Sequence, residues 1–395
     1  MNLISLKDLK KGNHYDFLLV GAGLFNAVCA KELTSKGFSC LVIDKRNHIG
    51  GNCYTSFNDI ANCYEHVYGA HIFHTNNSEI WNYVNDIVVF DNFINQPIAN
   101  YKGKIYNLPF NMNTFSKIFD VASPKDAIDK INKEIEQSKI KNPKNLEEQA
   151  LNCVGKTIYE TLIKEYTEKQ WGRSCKELPP EIIKRVPLRF SYDNNYFNDI
   201  YQGIPKFGYT DFIEKMFNKC DVLLNVELRH LFTLLGGNEM NKKFFNIIYT
   251  GRIDDFFDYE LGELDYRNLK FETEIVNESN YQGNAVVNYT SNDVKYTRII
   301  EHKFFNKNAI NDKNNFSLIT KEYPCGSDKY GEACYPINDK KNTDLYEKYR
   351  VLARELELEG IYIEGRLGRY GYYDMDDTID NALKFVRNNW TRSVL

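Results

Sequence analysis

The nine cysteines of this 395-residue chain are odd in number, scattered from Cys29 to Cys334, and form no Cys-x-x-Cys pair. Neither a disulfide framework nor a thiolate zinc site is indicated, so reduced, mostly buried thiols are expected. A basic surplus is missing too: 50 Lys and Arg stand against 54 Asp and Glu, a net charge of −4. The chain therefore has no field to match a nucleic-acid backbone, and an anionic ligand must be small and met by local arginines. No apolar run reaches the roughly 18 residues of a membrane-spanning helix, and residues 1–14 lack the apolar centre of a signal peptide. A cytoplasmic protein without membrane insertion is the expectation. Internal repeats and low-complexity tracts are absent, and no cysteine or serine sits in a pattern that marks a nucleophile.

What is present is an ordinary globular composition, 43% hydrophobic and 26% charged, long enough for two or three domains. Near its start, residues 15–20 (YDFLLV) read as a short buried strand, Gly21-Ala22-Gly23 as a tight turn, and Leu24 to Lys36 as a helix. A pyrophosphate can sit at that helix N-terminus. Phe38 to Ile43 reads as a second parallel strand ending on Asp44, roughly 20 residues past the turn, where a carboxylate can accept ribose hydroxyls and disfavours a 2′-phosphate. Asn26 occupies the third glycine position of this dinucleotide fingerprint. That glycine lets helix and strand pack closely, so Asn26 implies either wider packing or a side chain put to use. The word Lys45-Arg-Asn-His-Ile-Gly-Gly-Asn52 follows, and it resembles the Arg-x-x-x-Gly-Gly element of flavoproteins, which favours FAD over NAD.

The remainder divides by pattern. Residues 110–190 are mostly helical, with Ser123-Pro124 opening a helix through Ile135, then Leu146 to Cys153 and Lys156 to Lys169. From Cys220 to about Pro324 the segments shorten and gain β-branched and aromatic residues, including residues 246–249, 284–289 and 316–320, which suggests an antiparallel sheet. Polar stretches 138–147 and 305–315 read as loops. The chain then returns to an α/β pattern: helix Thr343 to Leu358, strand Ile361 to Glu364, a turn at Gly365-Arg366-Leu367 and a helix from about Met375. The overall expectation is α/β: a Rossmann-like FAD-binding domain (1–95, completed by about 325–395, with a return around 220–260), a helical domain with a mobile lid (110–190), and an antiparallel sheet domain (191–324).

Candidate chemistry lies in two sets of residues. Arg185, Arg267, Arg298 and Arg366 sit in aromatic or turn-rich words, where a planar guanidinium suits phosphate oxygens; surface ion pairs are the alternative. His66, His71 and His74 lie close together near Glu65, open to metal binding, to structural hydrogen bonding or to ligand contact; Gly69 interrupts any helix that would align them for a metal.

Several words, in order from about residue 15 to 380, resemble the UDP-galactopyranose mutase family. They are Val20-Gly-Ala-Gly-Leu-Phe25, the Lys45–Asn52 word, Tyr68-Gly-Ala-His-Ile-Phe-His-Thr75, Tyr106-Asn-Leu-Pro-Phe-Asn-Met-Asn-Thr-Phe115 and Tyr166-Thr-Glu-Lys-Gln-Trp-Gly-Arg173. Further on come Asp193-Asn-Asn-Tyr-Phe197, Tyr201-Gln-Gly-Ile-Pro205, Tyr296-Thr-Arg-Ile-Ile-Glu-His-Lys303, and Gly365-Arg-Leu367 through Tyr372-Tyr-Asp-Met375.

The resemblance implies an isomerase that interconverts UDP-galactopyranose and UDP-galactofuranose on reduced FAD without net redox, for cell-surface glycan synthesis, as a homodimer. Flavin N5 would attack the anomeric carbon as UDP leaves, and the 4-hydroxyl would close the furanose before UDP returns, which fits the missing protein nucleophile. By the same resemblance, Arg185 and Arg298 clamp the diphosphate with Tyr196, Tyr335 and Tyr372. Tyr166 stacks on uracil, Trp171 lies on the lid, and Asn95, Asn288 and Arg267 lie at or near the sugar nucleotide. Gly21, Gly23, Phe25, Asp44, Lys45, Gly51 and Asn52 hold the cofactor, joined by His71, Arg366, Asp374 and Met375. His74 favours galactose over N-acetylgalactosamine. Cys334, Lys206-Phe207 and Arg252 depart from the pattern and could repack the pocket for a deoxy, pentose or heptose nucleotide.

Overall fold

The computed structural model describes residues 1–9, 14–183, 187–236, 243–306, 314–325 and 332–390. Its centre is a six-stranded, all-parallel sheet in the order Asn2–Leu3, Asp221–Leu224, Cys40–Asp44, Tyr15–Val20, Phe244–Tyr249, Ile361–Ile363. Strands of such a sheet are covered on both faces and read as continuous apolar runs, as Leu41, Val42 and Ile43 do. The helices Leu24–Ser35, Gly208–Met216 and Met375–Asn389 cover one face. Leu228–Leu235 and Lys340–Glu357, through Leu231, Tyr349 and Ala353, cover the other. Because all strands run the same way, their carboxyl ends form one edge, where ligands bind in open α/β sheets.

Asn26 is fully buried at the start of the first helix, and its amide donates to the carbonyls of Val20 (3.0 Å) and Gly21 (2.9 Å). The side chain is thus put to use, tying the helix to the strand end that a glycine would merely let approach.

The strand Phe244–Tyr249 lies in the stretch expected to return to the Rossmann-like domain, around 220–260, and corrects the reading of residues 246–249 as part of an antiparallel sheet. It pairs in parallel with Tyr15–Val20 and Ile361–Ile363, not within the antiparallel sheet. Its β-branched and aromatic residues specify a strand but not a partner. Conversely, the second large sheet recruits Ile98–Tyr101 and Lys104–Asn107 from before the helical region. Its order is Glu332–Pro336, Tyr266–Val276, Ser317–Pro324, Arg298–Glu301, Val286–Tyr289, Ile98–Tyr101, Lys104–Asn107. All neighbours are antiparallel except Val286–Tyr289 with Ile98–Tyr101, which is parallel.

A helical unit packed on Met112, Phe115, Ile131, Leu146, Val154 and Ile158 adjoins the second sheet. Ser123 caps the helix Pro124–Ser138, its hydroxyl accepting from the Asp126 N–H. The next helical run breaks at Gly155 (φ 77°), where a Cβ would lie 2.7 Å from Glu134 Oε2. It continues through a π turn, Tyr159–Ile163, into the helix Lys164–Trp171. The loop expectation for 305–315 falls in part on residues outside those described.

Two buried histidines seam the parts together. The His66 N–H donates to His302 Nδ1 (3.1 Å), which leaves His302 Nε2 to donate to Thr320 Oγ1 (2.7 Å). Burial pushes His302 down to about 3 and lowers His66 well below its ordinary value. Both rings are neutral when folded but charge near pH 6.5 when unfolded. The unfolded state therefore binds more protons below that pH, and stability falls as pH drops through 6.5 toward 3. A urea midpoint lower at pH 5 than at pH 7 is expected; an unchanged midpoint would contradict these neutral histidines.

Candidate functional site

A cavity of about 1920 Å3 opens at the carboxyl edge of the parallel sheet and runs to the second sheet and the helical unit. Pockets for drug-sized molecules hold about 300–1,000 Å3, so this volume suits two nucleotide-sized ligands. Five of the six parallel strands deliver residues to its wall at or just past their carboxyl ends: Gly21, Asp44, Val226, Thr250 and Gly365.

The floor is built from backbone. Gly23 and Gly51 meet face to face: a Cβ on Gly51 (φ 55°) would lie 3.0 Å from Gly23 Cα. The Gly50 N–H donates to Ala22 O (2.8 Å), locking the second glycine turn onto the first. The helix Leu24–Ser35 begins at Gly23 with no side chain capping it, so its first N–H groups are left for a ligand. Asp44, which lines the cavity, accepts from the Ala22 N–H (2.7 Å) through one oxygen and from the Arg46 N–H (2.8 Å) through the other, and each oxygen has capacity for a further hydrogen bond. These features fit a dinucleotide: a cradle that a Cβ would fill, an open helix terminus and an acid beside it. Phe25, Lys45 and Asn52 line the same end, with Arg46 donating to Asn52 Oδ1 (2.9 Å).

The opposite wall is electrostatic. Asn288, Arg298 and Glu322 stand in register on three adjacent strands. Arg298 Nε donates to Asn288 Oδ1 (3.2 Å) and Nη1 pairs with Glu322 Oε2 (3.4 Å). The buried Glu322 carboxylate raises the Arg298 pKa against the cost of burial and keeps the guanidinium charged. Tyr166, whose phenol burial pushes up, lies near enough to Arg298 for that cation to pull the other way. Tyr335, pushed up to about 12 chiefly by burial, stacks on Tyr372 at 5.2 Å, and the Arg366 guanidinium lies 5.6 Å from the Tyr335 ring. Several neutral phenols thus surround one fixed cation.

The three histidines separate. His66 is buried and accepts the His71 N–H at Nδ1 (3.1 Å). His71 Nδ1 meets Gly69 O (2.8 Å); burial lowers its pKa to about 4, so it faces the cavity neutral. His74 Nδ1 meets Asp199 Oδ2 at 2.7 Å, and its ring stacks on Phe197 at 3.7 Å.

Asn95, Tyr196, Asp374 and Met375 also line the cavity. Trp171 and Arg267 do not. The Arg267 guanidinium instead lies 5.0 Å from the Trp171 ring and 5.1 Å from Tyr335, with Nη1 donating to Gln170 Oε1 (3.0 Å). Arg185 lies outside the described residues. Of the departures, Cys334 and Arg252 line the cavity, and Arg252 is committed to a two-point pair with buried Asp254 (3.1 and 2.6 Å). Lys206 and Phe207 are absent from the wall. Sequence reasoning missed Glu322 and Asp199, which carry no local motif and are marked only by their partners.

Fold and cavity together define a Rossmann-type dinucleotide-binding protein with a second, arginine- and tyrosine-lined ligand lobe. Comparison with known proteins agrees. The family description UDP-galactopyranose mutase matches residues 161–372, and that of an NAD(P)-binding Rossmann-like domain matches residues 19–87. The chain belongs to the UDP-galactopyranose mutase family. It is 40% identical over 372 residues to a probable UDP-galactopyranose mutase of Klebsiella pneumoniae, covering 94% of each chain. It is 36% identical over 377 residues to a dTDP-fucopyranose mutase of Escherichia coli, covering 94% of this chain and 98% of that one. A crystal structure of reduced UDP-galactopyranose mutase shares the fold at a TM-score of 0.71 and 14% identity, over 96% of this chain and 95% of that one.

Replacing Gly51 by Ala places a Cβ against Gly23 and costs about 1–2 kcal/mol for the left-handed backbone alone. Purified Gly51→Ala is expected to have lost most of its bound dinucleotide, read by absorbance and mass spectrometry after denaturation. Full occupancy would show that the two turns do not form the cradle.

Proposed function

We propose that the protein interconverts the pyranose and furanose forms of a nucleotide-linked galactose-type sugar, with UDP-galactose as substrate and FAD as cofactor. The observation that carries this reading is the single cavity with a dinucleotide cradle at one end and the Asn288–Arg298–Glu322 row with its phenols at the other. Reduced FAD, when bound, would supply the nucleophile that holds the sugar while its ring changes size. Gly21, Gly23, Gly51, Asp44 and the N-terminus of the helix Leu24–Ser35 would hold its diphosphate and ribose.

The chain's own groups do the rest. Arg298, fixed by Glu322, offers its remaining N–H groups to the diphosphate, whose negative charge grows as it departs from the anomeric carbon. Tyr196, Tyr335 and Tyr372 add hydroxyl donors, and burial keeps Tyr335 protonated across the physiological range. Tyr166 offers a face for the base. Asn95, lining the wall, presents an amide to the sugar. Arg185 is assigned to the diphosphate on the family resemblance alone. Trp171 and Arg267 steady Tyr335 and the end of the helix Lys164–Trp171.

A second reading, a dTDP-linked deoxysugar as substrate, is favoured by the near-equal similarity to the dTDP-fucopyranose mutase. Incubating chemically reduced enzyme with UDP-galactopyranose and dTDP-fucopyranose and separating ring forms by chromatography decides between them. Furanose product from UDP-galactopyranose, formed only after reduction, is expected; conversion of the dTDP-sugar alone would reverse the choice, and equal turnover by oxidised enzyme would refute the cofactor's role. Arg298→Ala should lower kcat at least about 100-fold with the dinucleotide still bound. Loss of the dinucleotide instead would place Arg298 at the wrong ligand.

A further inference from the structure

His74 stands on the strand Phe73–Thr75, paired opposite Gln202 of the antiparallel strand Tyr201–Pro205. Asp199 precedes that strand, and its carboxylate reaches back to take His74 Nδ1 at 2.7 Å. Asp199 is itself held from several directions. The Asn76 amide donates to its other oxygen, while Asn76 Oδ1 accepts the Ile200 N–H (3.1 Å). Gln202 Nε2 donates to the Asp199 carbonyl (3.2 Å) and to Asn195 Oδ1 (2.9 Å).

A carboxylate only accepts, so Nδ1 must carry the proton. A neutral His74 ring then has a bare lone pair at Nε2, and among the described residues no protein group meets that nitrogen. Stacking on Phe197 at 3.7 Å, nearly parallel at 19°, keeps the ring from turning away. His74 lines the cavity; Asp199 does not, so any effect of Asp199 on a ligand must pass through His74. Asp374 lines the same wall, where burial pushes its carboxyl up. The surroundings of Nε2 are therefore a cavity wall, one stacked ring and a neighbouring carboxylate.

We propose that Asp199 is a positioning residue for the ring interconversion, fixing His74 so that Nε2 accepts a hydrogen bond from a hydroxyl of the bound sugar. The inference rests on the mutase reading above. It differs from a plain structural staple between the two strands, because a staple acts on stability and not through one imidazole.

The test uses reduced, dinucleotide-loaded enzyme and four variants: Asp199→Ala, Asp199→Asn, His74→Ala and the double His74→Ala/Asp199→Ala. D199A is expected to lower kcat about 10-fold or more, the size seen when an orienting partner of a functional histidine is removed, with UDP affinity and cofactor content unchanged. D199N, whose amide oxygen still accepts Nδ1–H, should recover most of the loss. In the H74A background D199A should cost nothing further, since the two act as a unit. An equal cost of D199A in both backgrounds, or no cost in the wild type, overturns the proposal. Should D199A fail to fold, Asn76→Ala removes the other side-chain support of the Asp199 carboxylate, and the same comparison with and without H74A applies. Wild-type turnover in the same assay separates the two levels: without it the mutase reading falls, and with it but no D199A effect this inference alone falls.

Discussion

The contact between Gly23 and Gly51 is the constraint on which the rest of the site depends. Two turns at the ends of neighbouring parallel strands come so close that Gly51, in a left-handed conformation, accepts no Cβ without moving the Gly23 backbone. Because they meet, the N-terminus of the helix Leu24–Ser35, the Asp44 carboxylate and the 45–52 loop share one floor. The C-terminal turn joins them in the same manner: a Cβ on Gly365 (φ 74°) would lie 3.2 Å from Thr250. Side chains begin only above this floor, where Arg366, Asp374 and Met375 rise from the last strand-to-helix connection.

Charge is then used locally. With a net charge of −4 the chain attracts no anion as a whole. On its second-sheet wall the cavity sets the Arg298 guanidinium against a buried carboxylate and surrounds it with neutral phenols. The pairing costs desolvation of two charges, yet it fixes the direction of the remaining N–H donors before any ligand arrives. Arg267 and Arg366 approach the same aromatic cluster and are held by ring faces rather than by acids at Tyr335. Such an arrangement suits a diphosphate that leaves and returns within one cavity.

The parts legible in the sequence are those encoded locally. The strand, glycine turn, helix and acid of residues 15–44 follow from short-range periodicity and φ requirements, and the helix Met375–Asn389 and its preceding turn follow likewise. Partner choice between strands was not legible. Residues 244–249 carry the same aromatic and β-branched residues as an antiparallel strand but pair in the parallel sheet, with Phe245 left exposed, and Ile98–Tyr101 joins the second sheet across nearly 190 positions of sequence, opposite Val287–Tyr289. The same reason hides Glu322 and Asp199: an acid becomes informative only when Arg298 or His74 is seen beside it. Trp171 and Arg267, drawn to the site by family likeness, are not among the residues lining the cavity and meet each other and Tyr335 instead.

The proposed function requires a reduced cofactor that is used repeatedly and not consumed. The direct measurement is the number of furanose products formed per reduced flavin under anaerobic conditions, with the flavin spectrum followed throughout and no nicotinamide present. Many products per flavin, with the flavin remaining reduced, is the predicted result. One product or fewer per flavin, accompanied by its oxidation, would mean that the cavity serves an oxidoreductase and not a mutase.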